Sequence, residues 1–301
     1  MLFLPETFSW RYHCLLPLLS RFPLRLAYLG AKWQSRFFAK RRSHEAELIK
    51  QQMRLVFPDH SEKTLDGYLQ DYFCMVEQEA LDTFFLNRPI AEQIVSLENF
   101  ESILEARRNQ QNIILTGGHY GRFWMAGVAM RAAGLTTGTI TRDGGDKNIH
   151  GLHPAEFQYR RMKLSRLQTA LGGDFLVEGG ALRTLYSALN KQLITLIFDV
   201  PYPEKHRGSV VVPFLGRTIE VPTGIYRISK KTDARVAPFY MEEQKGGKLI
   251  AKYQKLLNPA DYDEVTFMRI LAQQLEQKIL QRPGHWWLWE ALPMLSTKSH
   301  R

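Results

Sequence analysis

Only two cysteines, Cys14 and Cys74, occur among 301 residues, far apart and outside any metal or redox spacing. That excludes a disulfide framework and a thiol redox pair, and it fits a reduced, cytosol-facing location. Acid is scarce relative to base: 30 Asp and Glu stand against 40 Lys and Arg, a formal charge of +10. Such an excess favours an anionic partner, whether phospholipid headgroups, an acidic carrier protein or nucleic acid. Zinc-finger spacing, the aromatic motif of ribonucleoprotein domains and internal repeats are all missing, so nucleic acid ranks last. No linker rich in Gly, Pro or Ser divides the chain. Nor is there a run of about 20 uncharged apolar residues, the length a membrane-spanning helix needs.

The N-terminal stretch "WRYHCLLPLLSRFPLRLAYLGAKWQSRFFAKRR" is nevertheless rich in Leu, aromatics and Arg. Pro17, Arg21, Pro23 and Arg25 break its apolar run, and no small-residue cleavage site follows, so it is not a signal peptide. Basic residues Arg21, Arg25, Lys32, Arg36, Lys40, Arg41 and Arg42 recur between apolar positions. That pattern suits an amphipathic helix lying on an anionic leaflet, with an ordinary helix packed on the domain as the alternative. The chain therefore divides into a basic membrane-associating segment, 1–43, and a single domain, 44–301.

Helical spacing predicts helices over 44–57, 61–86 (with Ser61 as N-cap), 98–107, 119–133, 155–171, 180–190, 223–231 and 263–281. Between them lie apolar runs that read as buried strands: "NIILT" at 112–116, "TTGTITR" at 136–142, "LITLIFD" at 193–199, and further strands at 235–241 and 248–253. Strands alternating with helices predict a mixed, largely parallel α/β sheet covered on both faces. The aromatic cluster "HWWLW" at 285–289 reads as core packing or as a membrane-interface belt.

Polar residues of such sheets act at the carboxyl ends of strands. His119 stands there after the glycine pair Gly117 and Gly118, Arg142 and Asp143 follow the second strand, and Asp199 ends the strand at 193–199. A neutral imidazole in that position can serve as a general base, or merely cap a helix. Asp199 can equally cap the turn that follows it. Arg166, read alone, is a solvated helix charge.

In order and spacing, the segments "NIILTGGHYGRFWMAGVAMRAAG", "SRLQTALGGDFL", "LITLIFDVPYP" and "GSVVVPFLGRTIEVPTGIYRISKKTDARVAPFY" resemble the bacterial lipid A biosynthesis acyltransferases, the lauroyl and myristoyl enzymes of the lysophospholipid acyltransferase superfamily. The N-terminal segment and "LEQKILQRPGHWWLWEALP" extend the likeness over most of the chain. The resemblance implies a glycerolipid acyltransferase-like fold on the cytoplasmic face of the bacterial inner membrane. It implies transfer of a fatty acyl chain from acyl carrier protein, or coenzyme A, to a hydroxyl of a lipid, with anionic membrane lipids as surroundings and no cofactor or metal. His119, Arg166 and Asp199 take the catalytic places, Arg166 as a support for phosphate or the developing oxyanion. Gly118, Tyr120, Gly121, Arg122, Trp124, Arg142 and Arg217 take the substrate side.

One departure stands out. The family signature is a histidine, four residues, then an acid that orients the imidazole. Here Trp124 stands where that acid belongs. Three readings follow: a carboxylate from elsewhere (Asp143, Asp146, Glu156 or Asp199) reaches His119, the acceptor is an already nucleophilic amine, or the chain binds lipid or carrier without turnover.

Overall fold

Alternation along the central strands sets up two cores. In β2 (Ile113–Gly117) every residue is buried, so both faces of the strand must be covered. Ile114 joins one hydrophobic cluster with Phe267, Leu271 and Trp286, whereas Ile113 and Leu115 join the other with Met130, Leu167 and Leu171. A computed structural model of the chain describes residues 7–141, 148, 151–180, 182–201 and 208–297.

The remaining strands are β1 (Val95–Glu98), β3 (Thr137–Thr141), β4 (Gly172–Val177), β5 (Leu193–Ile197), β6 (Ser209–Phe214), β7 (Arg217–Pro222), β8 (Arg235–Glu243) and β9 (Leu249–Tyr253). Seven of them form one sheet in the order β1-β9-β8-β2-β5-β3-β4, and β6 and β7 form a separate antiparallel hairpin. Strands β8, β2, β5, β3 and β4 run parallel, while β9 reverses against β8 and carries β1 parallel to itself. The sheet is thus mixed and largely parallel, as its apolar runs predict. The carboxyl ends of its five parallel strands share one edge, and that edge carries the site.

Two local expectations are corrected. Residues 119–124 do not open a helix, which begins only at Met125 and runs to Ala132. Gly121, at φ +63°, turns the chain out of helical geometry, and its N–H is donated to the His285 carbonyl. Strand β1 went unforeseen because it has only four residues and a sheet partner on one side only. Ser61 does cap its helix (Glu62–Asp82), accepting the Thr64 N–H at 3.2 Å.

The N-terminal helices lie against this body. Helix Leu24–Arg41 buries Ala27, Tyr28, Ala31, Ser35 and Phe38. Upstream, Arg11 is fully enclosed and pairs with buried Glu77 at 2.8 Å. On the outer face of the same helix Leu26, Leu29, Trp33 and Phe37 are 47–61% exposed. Among the described residues no helix is long and apolar enough to cross a membrane.

Candidate active site

The register of two neighbouring strands builds the site. Gly117, the last residue of β2, pairs with Ile197, the last of β5. Two residues beyond each, the chains still run side by side, which brings His119 against Asp199. His119 Nδ1 lies 2.7 Å from Asp199 Oδ1. The same carboxylate accepts the His119 backbone N–H, at 3.0 Å to Oδ1 and 2.9 Å to Oδ2, and the Trp286 indole N–H at 2.9 Å. Both oxygens already accept donors, so the imidazole supplies the proton of the short contact from Nδ1. Nε2 is then the basic nitrogen and has no partner among the described residues. Asp199 is completely buried and the His119 side chain is 28% exposed, so the pair is held from within and open on one side. Gly118 makes the approach possible: a Cβ there would run into the Leu275 side chain and stand 2.9 Å from Asp199 Oδ2.

The aromatic cluster at 285–289 locks this turn, a pairing across 166 residues that no local pattern marks. Its backbone bridges Tyr120 through Trp286, and the Trp287 N–H donates to the His119 carbonyl at 2.9 Å. The Trp287 indole donates to the Gly121 carbonyl at 2.8 Å. Trp286 and Trp289 are wholly buried, so the reading of this cluster as a membrane belt is corrected for both. His285 is enclosed beside them; burial pulls its pKa down to about 4, against the opposing pull of Glu243 and Asp71.

His119 opens onto a cavity of about 900 Å³ whose walls are mostly apolar. The ends of β3, β4 and β5 contribute Ile140, Leu176 and Ile197, and the helices Leu182–Lys191 and Gly224–Thr232 contribute Leu185, Ile225 and Ile228. Trp124 belongs to this wall. Its ring packs on Phe123 (centroids 4.7 Å apart), and Phe123 meets the His119 ring edge-on at 5.6 Å.

Other expected site residues go elsewhere. Arg122 is fully buried with Nη1 2.7 Å from Asp82 and Nε 3.3 Å from Glu243, so it faces the interior and not a substrate. Burial alone would lower its pKa, but Asp82, Tyr28 and Glu243 outweigh that and raise it. Tyr120 is buried and donates its hydroxyl to the Lys278 carbonyl at 3.0 Å. Gly118 and Gly121 serve through their backbone shape. Arg166 donates to the Thr83 carbonyl at 2.9 Å and lies over the Phe84 ring, outside the cavity walls. Arg217 lines a separate depression with Phe214 and Glu276. Glu156 pairs with Arg160 one helical turn away. Arg142, Asp143 and Asp146 lie outside the described residues. Among the described residues no group of three His, Cys, Asp or Glu could hold a metal ion.

The His119–Asp199 pair thus stands at the mouth of a mostly apolar cavity at the carboxyl edge of the sheet. Among known families, the model described as "Bacterial lipid A biosynthesis acyltransferase" matches residues 1–291, and the chain belongs to that family. No curated protein matches. Among solved structures, the chain is similar to the 1-acyl-sn-glycerophosphate (LPA) acyltransferase of Thermotoga maritima, at 14% identity and a TM-score of 0.38, covering 85% of this chain and 97% of that one.

Proposed function

We propose that this acyltransferase moves a fatty acyl chain from acyl carrier protein or coenzyme A to a lipid hydroxyl, with His119 as general base and Asp199 as the carboxylate that orients it. The contact between His119 Nδ1 and Asp199 carries the reading. It answers the absence of an acid at position 124, the feature that favoured an amine acceptor or a protein without turnover. Nε2 takes the proton of the acceptor hydroxyl as its oxygen attacks the thioester carbonyl carbon. Collapse of the tetrahedral intermediate breaks the C–S bond, and the departing thiolate takes the proton back from Nε2. The acyl chain occupies the apolar cavity beside His119. Incubation of the full chain with acyl carrier protein thioester and lipid acceptor tests this: His119→Ala should lower turnover by about 10² or more, the usual contribution of a positioned base. Unchanged turnover would remove His119 from the mechanism.

The same reading sets the protein peripherally on the cytoplasmic face of the inner membrane. The exposed row Leu26, Leu29, Trp33 and Phe37, with Arg25, Arg36 and Lys40 on the same helix, supports it. Because Arg11, Tyr28 and Phe38 of this region are buried against the body, its removal would damage the fold. Leu26→Asp with Trp33→Asp is the cleaner test. Co-sedimentation with anionic vesicles should fall, and equal sedimentation of variant and parent would end the claim.

A further inference from the structure

A second cavity, of about 670 Å³, opens between helix Leu24–Arg41, helix Glu62–Asp82 and the turn that follows β8. It lies on the far side of the 119–124 turn from the apolar cavity and shares none of its lining residues. Its walls carry four cations, Arg25, Lys32, Lys245 and Arg282, against two carboxylates, Asp71 and Glu243. Both carboxylates are engaged: Arg282 grips Asp71 at 2.7 and 2.8 Å, and Glu243 pairs with Arg122 and Arg282 at 3.3 Å each. Arg25, Lys32 and Lys245 form no ion pair within 4 Å among the described residues, and Lys32 acts on Asp71 only at longer range. Deeper in the wall Gln78, only 7% exposed, has a side-chain oxygen without a hydrogen-bond partner. A buried amide left unpaired is costly unless something occupies the space in front of it.

The cavity is also built to hold its shape. The Gly247 carbonyl accepts from the buried Arg122 guanidinium, and a Cβ at Gly247 would overlap the Tyr28 ring, so the turn sits tightly against helix Leu24–Arg41. Leu29 lines the cavity and is 61% exposed, which places the mouth beside the apolar row of that helix.

We propose that this cavity binds the headgroup of an anionic membrane lipid, its phosphate held by Arg25, Lys32 and Lys245 and a headgroup hydroxyl donating to Gln78 Oε1 behind them. The chains of that lipid follow Leu29 out along the exposed row into the bilayer. The assignment rests on the reading that this helix faces a membrane. A phosphate takes charge-assisted hydrogen bonds from unpaired cations, and the adjoining apolar row selects a lipid over an acidic protein surface.

The test uses the full chain and a short-chain phosphatidylglycerol below its aggregation concentration, titrated calorimetrically. The parent should bind it saturably. Arg25→Gln/Lys32→Gln/Lys245→Gln should bind at least about tenfold more weakly, the scale of one lost charge-assisted hydrogen bond. Gln78→Leu should weaken binding in the same direction. A charge-matched control, Lys63→Gln/Arg108→Gln/Lys191→Gln, removes three exposed cations outside both the cavity and helix Leu24–Arg41 and should keep parental affinity. Equal losses in the two triple variants would show diffuse attraction and overturn the site. Binding of inorganic phosphate as tight as that of the lipid would overturn the lipid assignment, and so would loss of carrier-protein affinity alone in the cavity triple. Vesicle binding separates this from the membrane reading. A parent that sediments with anionic vesicles but does not bind the soluble lipid sinks the site only. A parent that binds the soluble lipid but ignores vesicles sinks the membrane reading only.

Discussion

Replacing Asp199 by Asn isolates the orienting carboxylate with almost no change of shape. The parent carboxylate receives the His119 N–H, the Nδ1–H and the Trp286 indole N–H, all at 2.7 to 3.0 Å. An amide has one accepting oxygen and one donating nitrogen. If its oxygen serves the backbone and the indole, its NH₂ faces Nδ1, and the imidazole must move its proton to Nε2, the atom that has to be basic. If its oxygen serves Nδ1, a donor faces the indole donor in a site with no water access, at a cost of about 1–3 kcal/mol. The first outcome removes the base and the second loosens its support. In serine-protease triads the same exchange lowers kcat by about 10⁴ through the wrong tautomer. A comparable fall, about 10³–10⁴ in turnover with carrier-protein thioester and lipid acceptor, is expected here, with KM changed little and the melting temperature only modestly lowered. Turnover within about tenfold of the parent would refute the reasoning, because an orienting carboxylate contributes far more than that.

Three further outcomes follow from the packing. Trp124→Glu, which restores the family's acid, should lower turnover, since Nδ1 is already taken and a carboxylate would replace an aromatic wall of the cavity; turnover above the parent's would contradict this. Arg122→Ala should cost about 3–5 kcal/mol in urea unfolding, because Asp82 would be left buried without its cation and Glu243 would keep only Arg282, and a loss below about 1 kcal/mol would contradict it. His285 titrates near 4 when folded and near 6.5 when unfolded, so the unfolded chain binds the extra proton between those values and stability falls as pH falls through that window. The loss is about 3 kcal/mol at most, in surroundings shared with Glu243, Asp71, Arg282 and Arg122. His285→Phe should flatten the acid limb of the melting temperature against pH, and an unaltered limb would exclude His285 as its source.

The sheet was legible because its strands are continuous apolar runs, and a strand buried on both faces has no other pattern available. Strands β2, β5, β8 and β9 fall where "NIILT", "LITLIFD" and their successors place them. Their ends were legible too, which is why His119 and Asp199 could be named as residues of one edge. What the sequence withheld was pairing across distance. The proton partner of His119 is 80 residues away, and it is set by which strand lies beside β2 and in what register. Trp286 donates to Asp199 from 87 residues further on, and an indole in an aromatic cluster carries no mark of the acceptor it will find. Arginine was the least legible residue type. By the resemblance Arg122 and Arg217 read as substrate contacts and Arg166 as a catalytic support, but a guanidinium serves a buried carboxylate or a helix-end carbonyl equally well, and only the surroundings decide.

The strand-end position of Asp199 has a structural logic. An acid five positions after the histidine depends on the turn between them to hold the two side chains together. Here that turn carries Gly121 at positive φ, and the helix starts only after position 124. The β2–β5 ladder is a stiffer frame: its parallel hydrogen bonds fix His119 and Asp199 relative to each other, and the backbone N–H of His119 binds the same carboxylate as its ring. The carboxylate thus binds both the main chain and the ring of His119. Position 124 is then free for a residue that shapes the cavity, and the Phe123–Trp124 pair closes one wall of it against the imidazole. A carboxylate at that place would meet apolar surface and have no nitrogen to orient. Asp199 thus brings its carboxylate to His119 from the strand end, and Trp124 forms part of the cavity wall.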